Sequence, residues 1–143
     1  MRSVGFAPHR DLAPVVFVPS TRASTKKVRE LLPATVPHAD AAADAGRAAL
    51  LPHALVDDLS LLLPATEDWL HQSYRAPAMP RSLALVELLR RDGVPAVLSG
   101  AGPAVLALTT GADREAVAAR APRGFTALAV DVDRGGAATV PLA

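Results

Sequence analysis

The chain contains no cysteine, and aromatic residues fill only 3% of its 143 positions. Without cysteine there is no disulfide, no thiolate nucleophile and no cysteine-ligated zinc or iron–sulfur site, and the simplest compartment is the cytoplasm. One tryptophan, one tyrosine and three phenylalanines are too few for the stacking platforms on which single-stranded nucleic acid lies. An excess of charge is missing too. Fifteen Lys and Arg face fourteen Asp and Glu, a formal net charge of +1, so neither nucleic acid nor an anionic membrane is expected as a partner. Lysine is scarce, with only Lys26 and Lys27. Basic groups are therefore guanidiniums, which suit bidentate contacts to carboxylate or phosphate and also fit a GC-rich coding sequence. No apolar run approaches a membrane span, and the opening MRSVGFAPHRDLAP has too little continuous apolar sequence for a secretory signal.

What is present is small and aliphatic. Half of the residues are hydrophobic, mostly Ala, Val and Leu, enough for one packed domain over residues 1–143. PVVFVPS (14–20) reads as a strand, and STKKVRELLP as a short helix with Ser24 as cap and Val28, Leu31 and Leu32 on one face. HADAAADAGRAALLPHALVDDL (38–59) is helical in propensity, with a kink or break predicted at Pro52. A further helix is predicted over LLLPATEDWLHQSY from near Pro64. PRSLALVELLRRDG (80–93) is a helix with Leu85, Leu88 and Leu89 on one face, Arg90 and Arg91 in the last turn and Gly93 just past its end. VPAVLSG and AVLALTT predict an antiparallel strand pair around a glycine bend. ADREAVAARA (112–121) is a helix, FTALAVDVD (125–133) a strand, and ATVPL a last short strand. This order of elements predicts an α+β fold, a ferredoxin-like split β-α-β sandwich whose antiparallel sheet carries its helices on one face.

Several residues carry candidate chemistry. Gly100 and Gly102, within Ser99-Gly100-Ala101-Gly102-Pro103, let the backbone approach a ligand closely and permit positive φ; a plain hairpin turn explains them equally well. Glu67, Asp68 and His71 lie at helical spacing, but two ligands are too few for a metal site, so capping or solvated roles are favoured, as for His9, His38 and His53. Ser20, Thr21, Ser24 and Thr25 make a hydroxyl-rich loop suited to helix capping. Trp69 is read as core packing or an edge anchor. Arg29 and Arg75 read as surface charges by themselves.

VPSTRASTKKVRELLP, ATEDWLHQSYRAPAMP and VLSGAGPAVLAL, in this order, resemble the C-terminal part of the homoserine kinases, a family of the GHMP kinase superfamily. The likeness runs from about Pro14 to the last strand. It implies ATP- and Mg2+-dependent phosphorylation of the hydroxyl of L-homoserine to O-phospho-L-homoserine, on the route to threonine. It also implies that Arg29 and Arg75 hold the substrate carboxylate, while Ser99, Gly100, Ala101 and Gly102 form a glycine wall beside the ligand. No catalytic residue and no metal ligand is assigned within the chain. The family's phosphate loop, of the type Pro-x-x-x-Gly-Leu-Gly-Ser-Ser-Ala, and its magnesium carboxylate belong to an N-terminal half whose motifs do not occur in this sequence. The loop and metal supply most of the electrostatic stabilisation in phosphoryl transfer, so the chain alone is expected to be a poor kinase or none. The alternatives are a non-catalytic amino-acid-binding module and a degenerate, truncated remnant. Ala104 stands where the family usually has threonine, so a hydroxyl contact is lost there. Absence of the partner half is expected to uncover apolar surface, and a homodimer would follow from that.

Overall fold

The computed structural model describes residues 5–21 and 25–135. Four strands, β1 (Val15–Pro19), β2 (Ala96–Leu98), β3 (Val105–Ala107) and β4 (Phe125–Ala129), form one antiparallel sheet in the order β2-β3-β1-β4. β3 thus lies between β1 and β2, the split arrangement the sequence predicts. Strand alternation sends Val15 and Phe17 to one face with Leu98, Val105 and Ala107, all buried. That face packs against helices α5 (Pro80–Arg91) and α6 (Arg114–Ala118) in the main core. α1 (Thr25–Glu30) joins the same core through Val28. A second cluster gathers Leu12, Leu108 and the helices α2 (His38–Val56) and α3 (Leu62–Ala65), and touches the sheet through Leu106.

α5 has the cleanest local logic. Pro80 occupies its first turn, where a missing N–H costs nothing. Leu85, Val86 and Leu89 are buried, each contributing roughly 1.5–3 kcal/mol. The helix ends in a Schellman motif: Gly93, at φ +79°, donates its N–H to Arg90 O, and Val94 donates to Leu89 O.

Two side chains then finish the outer edge of β2. Arg90 donates from Nη1 to Ala96 O (3.3 Å), Thr66 O (3.2 Å) and Thr66 Oγ1 (2.8 Å), and from Nη2 to Leu63 O (2.6 Å). Burial lowers its pKa while Glu67 opposes that shift. Gln72, in the short helix α4 (Gln72–Arg75), accepts the Leu98 N–H at 2.7 Å.

Some expectations are corrected. Of the kink or break expected at Pro52, the break does not occur: helix α2 runs on through Pro52 to Val56. Ala48, whose carbonyl loses its helical donor to the proline, is exposed and can meet water, while Ala54 and Leu55 beyond the proline pack into the second cluster. The single helix predicted from Pro64 is interrupted: α3 stops at Ala65, and α4 begins only at Gln72. Between them Thr66 Oγ1 turns back to donate to Leu62 O, and the Asp68 carboxylate takes the N–H groups of Leu70 and His71, closing a turn. Trp69 on that turn is 46% exposed, so it is not core packing. β4 ends at Ala129, four residues short of the predicted strand. ATVPL and the Ser24 cap lie outside the described residues. Among the described residues no helix is long and apolar enough to cross a membrane.

Candidate functional site

The glycine bend joins β2 to β3. Ser99 donates its N–H to Ala104 O (2.8 Å) and Gly102 to Ser99 O (3.0 Å). Gly100 and Gly102 both have positive φ, +58° and +77°, which only glycine adopts cheaply. The two differ in their surroundings. A Cβ on Gly102 would lie 2.5 Å from Met79 Sδ, whereas nothing approaches within 4 Å of the corresponding position on Gly100. Gly102 is therefore a packing glycine seated on the buried Met79, and Gly100 is the open one. The N–H groups of Gly100 and Ala101 have no acceptor among the described residues. Two free amides on an open bend can meet an anion.

Arg75, the last residue of α4, reaches this bend. Its Nη1 donates to Gly100 O at 3.0 Å, and its Nε is buried without a protein partner. Ser82, at the start of α5, holds the other end of the bend by donating from Oγ to Pro103 O at 2.6 Å. One helical segment thus fixes the bend from one side and the next helix from the other.

On the outer side, Ser20 and Thr21 face the bend across a groove of about 330 Å³, lined also by Val18, Pro19, Gly102, Pro103 and Ala104. Among the described residues no carboxylate lines it. The Ser20 N–H is held by Gly124 O (2.9 Å), so this loop is tied to the start of β4. Arg29 follows on α1, exposed, one residue after the buried Val28. Val28 and Met79 belong to the same core cluster, so α1 and the glycine bend rest on one support.

The remaining candidates separate from the groove. Glu67 pairs with Arg47 at 2.7 Å, and His71 lies 3.4 Å from Asp68, both around the turn after α3. The His53 ring lies 3.0 Å from Asp57, and His9 accepts the Asp11 N–H at 3.2 Å. No group of three or more His, Asp or Glu able to hold a metal occurs among the described residues. Ser82 and Gln72, which position the bend and its strand, escaped the sequence reading, because their partners lie 21 and 26 residues away in the chain.

Comparison with known proteins gives a consistent result. Residues 45–127 match the family described as GHMP kinases C terminal. The chain is 56% identical over 142 residues to a homoserine kinase of Streptomyces avermitilis, covering 99% of this chain and 47% of that protein. It is 54% identical to one of Streptomyces coelicolor, covering 46% of it. The chain therefore spans about half the length of the curated relatives it matches. Its fold is similar to that of a homoserine kinase from Cytophaga hutchinsonii, with a TM-score of 0.83 at 20% identity over 92% of this chain and 45% of the other.

Proposed function

The chain belongs to the GHMP kinase family, matching its C-terminal part, and from that premise we propose that it forms one wall of a homoserine kinase active site. The other wall is supplied by an N-terminal half of the kind its relatives carry. In this reading the open bend at Gly100 and Ala101 lies beside the phosphates of ATP, and Arg29 and Arg75 hold the carboxylate of L-homoserine. The single observation that carries it is the junction of Arg75 with the bend, because a guanidinium and two N–H groups without an acceptor among the described residues then meet at one turn, whose Gly102–Ala104 arm lines the groove.

The described residues fit these groups unequally. The bend suits a phosphate oxygen, since its free N–H groups and the absence of Cβ at Gly100 allow close approach. Mg2+ finds no set of carboxylates among the described residues. ATP, when bound, supplies the phosphoryl group. The contribution of this chain is positioning: two guanidiniums fix the substrate carboxylate so that the side-chain hydroxyl points toward the phosphate side of the groove. Arg75 is already held at one nitrogen by Gly100 O, so its orientation is set before substrate arrives. Ala104 offers no hydroxyl at the groove wall.

The test is ATP-dependent phosphorylation of homoserine by this chain alone and with an N-terminal half supplied by co-expression. The expected result is turnover only with both parts. Within the complex, Arg29→Ala and Arg75→Ala each raise the KM for homoserine about 10- to 100-fold, the loss of one charge-assisted contact of about 1.5–3 kcal/mol. An unchanged KM in Arg29→Ala would remove that residue from the site. Homoserine binding without turnover in the complex would favour the non-catalytic module instead.

A further inference from the structure

The sheet face turned away from α5 and α6 is aliphatic where a solvated face would be polar. β1 reads Val15-Val16-Phe17-Val18-Pro19, with no polar side chain on either face. A short strand that is apolar at every position fits cover on both sides. Among the described residues only one side is fully covered. Leu106 packs on the α2–α3 cluster, but Val18 is 40% and Leu128 47% exposed. Leu128 sits across from Val16 and next to Thr126, the partner of Val18, so the two exposed side chains form one patch.

We propose that this patch on β1 and β4 is the seat of the N-terminal half. The inference rests on the reading given under Proposed function. The occupant follows from two further observations. Relatives more than 50% identical carry about as much chain again as the part matched here, enough for a second folded body. Val18 also lines the groove with Thr21, Gly102 and Ala104, so the patch and the groove are continuous. A body seated on Val18 and Leu128 would stand at the open side of the groove, where the second wall is needed. The other sheet face is filled by α5 and α6.

Because the chain has no cysteine, Val18→Cys, Leu128→Cys and Trp69→Cys each carry a single thiol. Each is labelled with a maleimide as the free chain and as a complex co-purified with the N-terminal remainder of the Streptomyces avermitilis homoserine kinase. Positions 18 and 128 are expected to lose about tenfold or more in labelling rate in the complex, as access to the thiol is blocked. Position 69, equally exposed but on the turn between α3 and α4, keeps its rate. Hydrogen exchange of β1 and β4 in the unsubstituted chain gives the same comparison without a mutation. Fast labelling at 18 and 128 within a co-purified complex overturns the proposal, as does failure of the two parts to co-purify. Protection that grows with concentration of the chain alone also overturns it, by assigning the face to a second copy. A complex that protects both positions yet does not phosphorylate homoserine leaves the docking face standing and removes the kinase reading.

Discussion

The two edges of the sheet are finished in opposite ways. At β2 the outward backbone groups are taken by side chains: Arg90 caps Ala96 O and Gln72 accepts the Leu98 N–H. At β4 the register with β1 leaves the N–H and C=O groups of Ala127 pointing outward, and no side chain meets them among the described residues. Unpaired edges invite further pairing, so among the described residues one edge is closed internally and the other is left open. The closed edge is also the one that carries the glycine bend. Precision at the candidate site is thus built from polar side chains that reach across 6 to 27 residues of sequence.

The largest expected effect comes from undoing the closed edge at Arg90. Arg90→Met keeps most of the aliphatic stem but leaves the carbonyls of Leu63, Thr66 and Ala96 without their donor. Loss of hydrogen bonds from a charged group and the stranding of half-buried carbonyls lower the unfolding free energy by about 3 kcal/mol. A urea titration reads this as a lower midpoint at unchanged slope. A loss under about 1 kcal/mol means the guanidinium is ornamental and the edge is held by the hairpin alone.

Next in size is the bend itself. Gly102→Ala forces φ of +77° on a residue with a Cβ and drives that Cβ against Met79 Sδ, for about 2 kcal/mol of destabilisation. Gly100→Ala meets open space and pays only the conformational part, about 1 kcal/mol. Shortening Met79 to alanine in the Gly102→Ala background is expected to return part of the loss, so the double mutant is less destabilised than the two single changes added together. Strict additivity would place the strain in the backbone and not in the contact with Met79. Gln72→Ala comes third. It strands the buried Leu98 N–H for about 1–2 kcal/mol, and faster hydrogen exchange at Leu98 is the local readout.

These same residues mark where the sequence was legible. Element types followed from period and punctuation: β1 from its β-branched run, α5 from Leu85 and Leu89 with Gly93 as stop, the β2–β3 hairpin from two apolar runs flanking glycines. The split strand order followed from that succession. The helix from Pro64 failed because Thr66 and Asp68 bond their own backbone, a local competition that helical periodicity does not register. Arg90 read as a helix-dipole charge, since nothing in its neighbourhood of sequence announces carbonyls from residues 63 and 66. Gly100 and Gly102 looked equivalent as letters. Only the packing of Met79 makes one a steric necessity and leaves the other facing open space. Arg75 and the bend, 25 residues apart, were joined in the sequence only by the family resemblance; in the structure they are joined by a hydrogen bond.

The open edge supplies the smallest effect and the sharpest contrast. Arg81 is its counterpart to Arg90: the guanidinium lies over the Phe125 ring, 5.6 Å from the centroid, and donates to Arg123 O at the start of β4. The hydrogen bond is exposed and Arg81 reaches the half-buried ring from solvent, so the cation–π attraction contributes about 0.5–1 kcal/mol and the carbonyl, once released, is satisfied by water. Arg81→Ala is therefore expected to lower the melting temperature by only about 2–4 °C. If the edges differ as described, Arg81→Lys restores most of this loss because a point charge over the ring suffices, while Arg90→Lys does not, because one ammonium cannot span Leu63, Thr66 and Ala96 in the way a planar fork does. Equal rescue by lysine at both positions would mean that charge alone, and not the geometry of the closed edge, separates the two.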